Sequence, residues 1–221
     1  MNYRNIIKSL PSVFCLFVTQ STFSAPQVTS QTFQHLHHLA PNLSTRALQS
    51  ALNAYQKAST QHLVHKPVLT VIDYSLPSSR QRMWIFDLKR EKLLMNTYVA
   101  HGQNSGMNVA RHFSNTPSSK SSSLGAYITK NTYFGNNGLS LNLQGLERGF
   151  NDNALSRRVV IHGAWYVEPS FIRQTGRAGR SWGCPSVAKS IASSLIHTIQ
   201  GGSVVFAYYP DFRYLHTSHY A

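Results

Sequence analysis

The stretch from Ile161 to Ser186 constrains this chain more than any other, because it contains a His162–Gly163 pair and then Cys184. The chain has only two cysteines, so one thiol remains if the N-terminal cysteine is removed. An odd cysteine in an exported protein pairs between molecules or serves as a free reactive group. A proline follows Cys184, and apolar residues then recur at helical spacing. We therefore expect a helix to begin at this proline, with unpaired N–H groups stabilising a thiolate at Cys184. A buried, inert cysteine is the alternative.

Residues 1–25 have the layout of a signal peptide. Arg4 and Lys8 give a basic start, and an apolar run and a largely small-residue exit follow. The apolar run is too short to span a bilayer. We expect cleavage after Ser24 or Ala25, export through the inner membrane to the periplasm or cell envelope, and no stable membrane insertion. A membrane anchor is the alternative.

The chain is strongly basic, with 21 Lys and Arg against 7 Asp and Glu and a net charge of +14. In a cytoplasmic protein this excess of positive charge would suggest a nucleic-acid partner, but the basic residues are dispersed along the chain. Outside the cytoplasm the available polyanions are polymers of the cell envelope. We expect no nucleic-acid partner.

Residues 26–43 are polar and contain His35, His37 and His38. No Cys or carboxylate lies nearby to complete a set of metal ligands with these histidines. We interpret them as a solvated linker, followed by one catalytic domain over residues 44–221.

The pattern of residues 44–221 predicts a mainly β fold. Ser44 is expected to cap a short N-terminal helix, and one long helix is expected after Cys184. Short strands with few helices indicate an antiparallel sandwich or a half-open barrel. The predicted strands are 68–73, 83–88, 93–100, 124–129, 140–143, 157–162 and 203–208.

An ordered series of short motifs suggests a family. The motifs are Ile72-Asp73-Tyr74-Ser75, Val99-Ala100-His101-Gly102, Phe113-Ser114-Asn115, Ser122-Ser123-Leu124-Gly125, Gly145-Leu146-Glu147, His162-Gly163-Ala164 and Gly179-Arg180-Ser181-Trp182-Gly183-Cys184-Pro185. With these motifs the chain resembles the YkuD-like L,D-transpeptidase catalytic domains, and more closely the second YkuD-type subfamily. Two residues depart from the general family pattern: Trp182 stands where a histidine is usual, and Ser186 where Asn or Arg is often found.

The resemblance implies a cysteine–histidine site. Cys184 would be the nucleophile and His162 its base, oriented by a main-chain carbonyl near Gly163. The N–H groups of Gly183 and Cys184 would stabilise an oxyanion, since the following proline has none. The remaining expected oxyanion or substrate-contacting residues are Gly163, Arg180, Ser181, Trp182 and His101, the last with a strand-end structural role as its alternative.

The resemblance also implies acyl transfer on peptidoglycan. The thiol would attack the L-centre carbonyl of diaminopimelate in a tetrapeptide stem, release D-Ala and pass the acyl group to a second diaminopimelate, without metal or cofactor. A carbapenem would acylate the same cysteine. If water accepted the acyl group, the enzyme would be an L,D-carboxypeptidase. If the thiol attacked an amide between a protein and peptidoglycan, it would be an amidase. A non-catalytic wall-peptide-binding protein is the alternative from another class.

Overall fold

The computed structural model describes residues 25–220, so the expected signal peptide, except for its last residue, lies outside the described residues. The helices are α1 Ser30–Leu39, α2 Thr45–Thr60, α3 Pro169–Thr175, α4 Lys189–Ile199 and α5 Phe212–Thr217, with a 3₁₀ turn at Trp165–Val167. The strands are β1 Val68–Asp73, β2 Met83–Asp87, β3 Lys92–Thr97, β4 Gly125–Gly135, β5 Gly138–Gly145, β6 Val160–Ala164, β7 Val187–Ala188 and β8 Val204–Tyr208.

The eight strands form one sheet in the order β3-β2-β1-β8-β4-β5-β6-β7. The mainly β prediction is confirmed, and the half-open barrel describes the sheet better than a two-sheet sandwich does. The pairing is mixed rather than purely antiparallel, because β1 pairs with β8 and β6 pairs with β7 in parallel. A hairpin turn cannot join parallel strands, so each of these two pairs needs a long crossover connection.

Hydrogen bonds link the chain segments next to β3 and β7, the two outer strands of the sheet. Just after β3, the Ala100 N–H donates to the carbonyl of Ser186, which directly precedes β7, over 2.9 Å. Gly102 forms a parallel bridge with Ser181. We call these contacts the seam; they bring the sheet close to a closed barrel and fix the segment that carries Cys184.

Helices α2 and α4 cover the sheet. Helix α2 contacts β1 and β8, and its apolar residues recur at helical spacing and are fully buried. These residues are Ala47, Leu48, Ala51, Leu52 and Tyr55. The predicted N-cap is confirmed, since the Ser44 hydroxyl accepts from the Ala47 N–H. The helix is nevertheless the longest in the described chain, at 16 residues, rather than short.

Residues 26–43 are not a linker throughout, because they contain helix α1. Leu36 is fully buried where α1 contacts α2, and Thr32 donates from its hydroxyl to Glu91 over 2.8 Å. The Thr29 side chain caps the helix. The polar composition of this stretch concealed a helix that needs only a narrow apolar stripe to pack.

The expected start of the long helix at Pro185 is also wrong. Val187 and Ala188 pair in parallel with Gly163 and Ala164, which extends the backbone, and α4 begins only at Lys189. A further difference is the hairpin of β4 and β5, which continues through residues 130–139 where no strand was predicted. No helix in the described residues is both long and apolar enough to cross a membrane.

Candidate active site

The loop that carries Cys184 is closed by one serine hydroxyl. Ser181 Oγ accepts from the Gly183 N–H at 3.0 Å and donates to the Cys184 carbonyl at 2.6 Å. Gly183 has a φ of +121°, and a Cβ at this position would lie 2.7 Å from the Ser121 carbonyl oxygen. Glycine is therefore required beside the cysteine, both for its backbone conformation and for this close approach.

The Cys184 thiol lies against the start of β6. Its sulfur is 3.7 Å from the Arg158 carbonyl oxygen and also receives a hydrogen bond from the Val160 backbone. Burial raises the pKa of the Cys184 thiol, while the Val160 contact and the charge of Arg157 lower it. Because burial is the largest cause, the resting group is a neutral thiol. The expected helix N-terminus makes no contribution, since Ala188 is the N-cap of α4.

His162 lies in the middle of β6 and is buried. Its Nδ1 is 3.0 Å from the Gly163 carbonyl oxygen, the main-chain contact that the resemblance implied. Its Nε2 is 2.9 Å from the Ser186 hydroxyl. Burial lowers the pKa of the His162 imidazole, so the ring is a neutral base at neutral pH.

The Cys184 and His162 side chains both lie along β6. The sulfur contacts the backbone at Arg158 and Val160, beside the start of the strand, and His162 lies two residues after Val160. The Ser186 hydroxyl, two residues after the cysteine, contacts His162 Nε2. The segment from Cys184 to Ser186 thus runs alongside the strand that carries the imidazole.

Gly163 keeps this strand close to α4. A Cβ there would lie 2.9 Å from the Ala192 Cβ and 3.1 Å from the Lys189 Cα. Gly163 therefore has a packing role and a carbonyl contact to His162, and its expected contact with substrate stays a prediction.

Arg157 belongs to the site, although the sequence analysis did not identify it. Its guanidinium donates to the carbonyls of Ser114 and Ser121 at 2.8 and 2.7 Å, and also to the hydroxyls of Ser119 and Ser123. These partners are 34 to 43 residues away in sequence, so no local pattern identifies them. Arg157 fixes the serine-rich loop beside Gly183 and supplies positive charge near the thiol.

His101 does not line the site, because it is fully buried and both ring nitrogens have partners. Arg82 Nη2 donates to its Nδ1 over 2.7 Å, which leaves Nε2–H to donate to the Gly106 carbonyl at 3.2 Å. Burial and the Arg82 charge lower the pKa of His101 to about 4. The structural alternative for His101 is thus the one that the geometry supports.

The other expected substrate contacts fall into two groups. Arg180 is half-buried and donates to the Gln103 carbonyl at 3.0 Å, which anchors the adjacent loop. Trp182 is 74 % exposed, and the Lys120 ammonium lies 5.0 Å from its ring centroid. Trp182 is therefore available to a ligand at the surface, whereas the guanidinium of Arg180 is already engaged.

Of the two expected oxyanion donors, one is engaged within the loop. The Gly183 N–H donates to Ser181 Oγ, as described above. Within residues 25–220 the Cys184 N–H has no hydrogen-bond acceptor, and it remains the available donor. The same residues contain no cluster of three or more metal-ligating side chains.

Residues 39–208 match the family described as L,D-transpeptidase catalytic domain, and the chain therefore belongs to this family. No curated protein matches the chain. Among solved structures, it is similar to "Structure of the Ldtfm-avibactam carbamoyl enzyme", with 15% identity and a TM-score of 0.36. That match covers 63% of this chain and 48% of the other, so this chain spans about half the length of that structure.

Proposed function

We propose that this protein is a cysteine L,D-transpeptidase that acts on peptidoglycan tetrapeptide stems and forms diaminopimelate–diaminopimelate cross-links. One observation carries the proposal: the segment from Cys184 to Ser186 runs alongside β6, which carries the neutral imidazole of His162, in a chain of this family. A cysteine nucleophile needs a base within reach, and we assign that role to His162.

In the first half of the reaction, His162 Nε2 takes the thiol proton and the electron pair remains on sulfur. The thiolate attacks the L-centre carbonyl of diaminopimelate, and the Cys184 N–H donates to the developing oxyanion. The tetrahedral intermediate then collapses, the bond to D-Ala breaks, and His162 returns the proton to the departing amine. A thioester at Cys184 remains.

In the second half, the amine of a neighbouring diaminopimelate attacks the thioester while His162 accepts its proton, and the thiol is released. One amide replaces another, so the reaction needs neither a cofactor nor ATP. The partly exposed sulfur and the exposed Trp182 indole support access from the surface.

The proposed compartment is the periplasm or cell envelope, where this substrate lies. The basic start, short apolar run and largely small-residue exit of residues 1–25 support it. Expression of the full chain with fractionation would test this, and a cytoplasmic protein that retains residues 1–25 would contradict it.

The test of the activity is incubation of purified protein with sacculi or tetrapeptide muropeptides, followed by chromatography and mass spectrometry. We expect new cross-linked dimers, lost in Cys184→Ala. Shortened stems without dimers would mean that water is the acceptor, and release of an attached protein would indicate the amidase. No change with the wild-type protein would leave only wall-peptide binding and overturn the proposal.

A carbapenem should trap the same nucleophile. We expect a one-to-one covalent adduct with imipenem or meropenem in the intact mass, absent in Cys184→Ala. Trp182→Ala should form it faster if the indole limits entry to the site. Rapid iodoacetamide labelling of Cys184 without any carbapenem adduct would mean a reactive thiol in a site of the wrong shape.

A further inference from the structure

The Ser186 side chain is fully buried between two other polar side chains of the site. Its hydroxyl oxygen is 2.9 Å from His162 Nε2 and 3.3 Å from the Tyr166 hydroxyl. Tyr166 belongs to the 3₁₀ turn that follows β6, and its ring also fills the space beside Gly179. The Ser186 hydroxyl is therefore hydrogen-bonded to the nitrogen that, in the proposed reaction, accepts the thiol proton.

The directions of these hydrogen bonds follow from the carbonyl at the other end of the imidazole. A carbonyl can only accept, so His162 Nδ1 carries the hydrogen and donates to Gly163. The neutral ring then has a lone pair on Nε2, and Ser186 donates to it. Because its own hydrogen points at Nε2, the Ser186 oxygen accepts a hydrogen bond from the Tyr166 hydroxyl. Burial raises the pKa of Tyr166, so this hydroxyl stays protonated.

The same three groups can satisfy the protonated ring by reversing two hydrogen bonds. The imidazolium Nε2–H donates to Ser186, and the Ser186 hydroxyl turns to donate to Tyr166. A hydroxyl can serve both states because it is both donor and acceptor, whereas an amide or guanidinium donor cannot. Chains of this kind also strengthen one another in a low-dielectric interior.

We propose that Ser186 and Tyr166 are positioning residues that hold the base His162 in its reactive tautomer and stabilise its protonated form. This inference rests on the proposed function, in which His162 takes the proton from Cys184. For the transfer, the Ser186 hydroxyl turns to donate to Tyr166, which frees the Nε2 lone pair. The proton taken from sulfur ends on Nε2, the electron pair stays on sulfur, and the Nε2–H then donates to the Ser186 oxygen. Without Ser186, the buried Nε2–H would lack a partner, which disfavours proton transfer.

The test is the pH profile of iodoacetamide alkylation at Cys184, followed by intact-mass spectrometry on the purified full chain. Ser186→Ala should alkylate about tenfold more slowly at neutral pH, with its profile displaced to higher pH. Ser186→Thr, which keeps the hydroxyl, should restore the profile, and Tyr166→Phe should lose less than Ser186→Ala. The matched control is Ser193→Ala, an exposed serine on α4 that should behave as wild type.

Apart from Tyr166 and His162 themselves, no variant removes a charged or titratable group that faces the site. The groups that interact with the thiol, or that lie beside Gly163 on α4, stay in place: Tyr74, Arg157 and Lys189. Thermal unfolding midpoints, measured for each variant, separate a change in proton transfer from a loss of folded protein.

The outcomes distinguish this inference from the proposed function. If His162→Ala slows alkylation and Ser186→Ala leaves the profile unchanged, the inference fails and the base assignment stands. If His162→Ala itself has no effect, the proposed function fails at its base. A slower Ser186→Ala whose profile is not displaced, and which Thr does not restore, shows a structural role and overturns the inference. Should Ser186→Ala fail to fold, an unchanged profile in Tyr166→Phe overturns it.

Discussion

The chain contains two His-Gly pairs, His101–Gly102 and His162–Gly163, and they do different work. Both imidazoles are buried, and both have a lowered pKa for the same first reason, burial. At His101 the two nitrogens are taken by Arg82 and a backbone carbonyl, so the ring is a fixed connection in the scaffold. At His162 one nitrogen meets a carbonyl and the other a hydroxyl that can reverse its role. The two imidazoles thus differ in their partners and not in burial.

The largest expected effect separates the two histidines by activity. His162→Gln should lower transfer activity about 10²–10⁴-fold, the usual range for loss of a general base, while the protein stays folded. His101→Gln should keep most of the activity, because its amide can accept from Arg82 and donate to the Gly106 carbonyl. Muropeptide turnover and iodoacetamide rates for both variants would check this. Equal losses in the two variants would contradict the division of roles.

The second effect is on stability against pH. The pKa of His101 is lowered from 6.5 to about 4 in the folded protein. Between pH 4 and pH 6.5 the unfolded chain is therefore protonated at His101, whereas the folded chain is not. The stability that this group contributes is present above pH 6.5 and is lost as pH falls towards 4, by about 3 kcal/mol.

Denaturant unfolding of wild type and His101→Gln at pH 7 and pH 4 measures this loss, because the glutamine does not titrate. Buried Asp73 and Glu147, with raised pKa values, act in the opposite direction in both proteins and cancel in the difference. Parallel stability curves for the two proteins would show that His101 is protonated in the fold, contrary to its contact with Arg82.

The smallest effect compares the two glycines. A Cβ on Gly102 would meet three backbone atoms, the nearest being the Lys120 carbonyl oxygen at 2.5 Å, whereas one on Gly163 would meet Ala192 Cβ at 2.9 Å. Alanine should destabilise at both positions by about 1–3 kcal/mol, and more at Gly102, since backbone relaxes less readily than a helix that can shift. Denaturant midpoints would check the order, and a greater loss for Gly163→Ala would reverse it.

The motifs correctly predicted the family, but some of the same motifs serve the scaffold. Asp73 accepts from both the N–H and the hydroxyl of Ser75, and Glu147 accepts from the Ala126 N–H at 2.6 Å and the Tyr214 hydroxyl at 2.9 Å. These buried carboxylates tie the ends of strands to neighbouring turns. Sequence alone does not separate such residues from those that meet substrate.

Two of the errors in the sequence analysis have one cause, which is contact between distant segments. Helical spacing after Pro185 is real, but pairing of Val187 with Gly163 delays the helix by several residues. Arg157 and Ser186 acquire their partners from far along the chain. The local patterns that were correct, such as the Ser44 cap and the strands β2 and β3, involve neighbours in sequence.

The seam has a consequence for the order in which this protein is assembled. It joins residues about 80 apart in sequence, and contacts of such separation form late because a long loop must close first. The segment that closes there carries Cys184 and the hydroxyl that contacts His162. Until the seam forms, Cys184 lies in open chain, and closure buries its thiol beside β6. The rate at which a thiol reagent labels Cys184 during refolding should therefore report this late step.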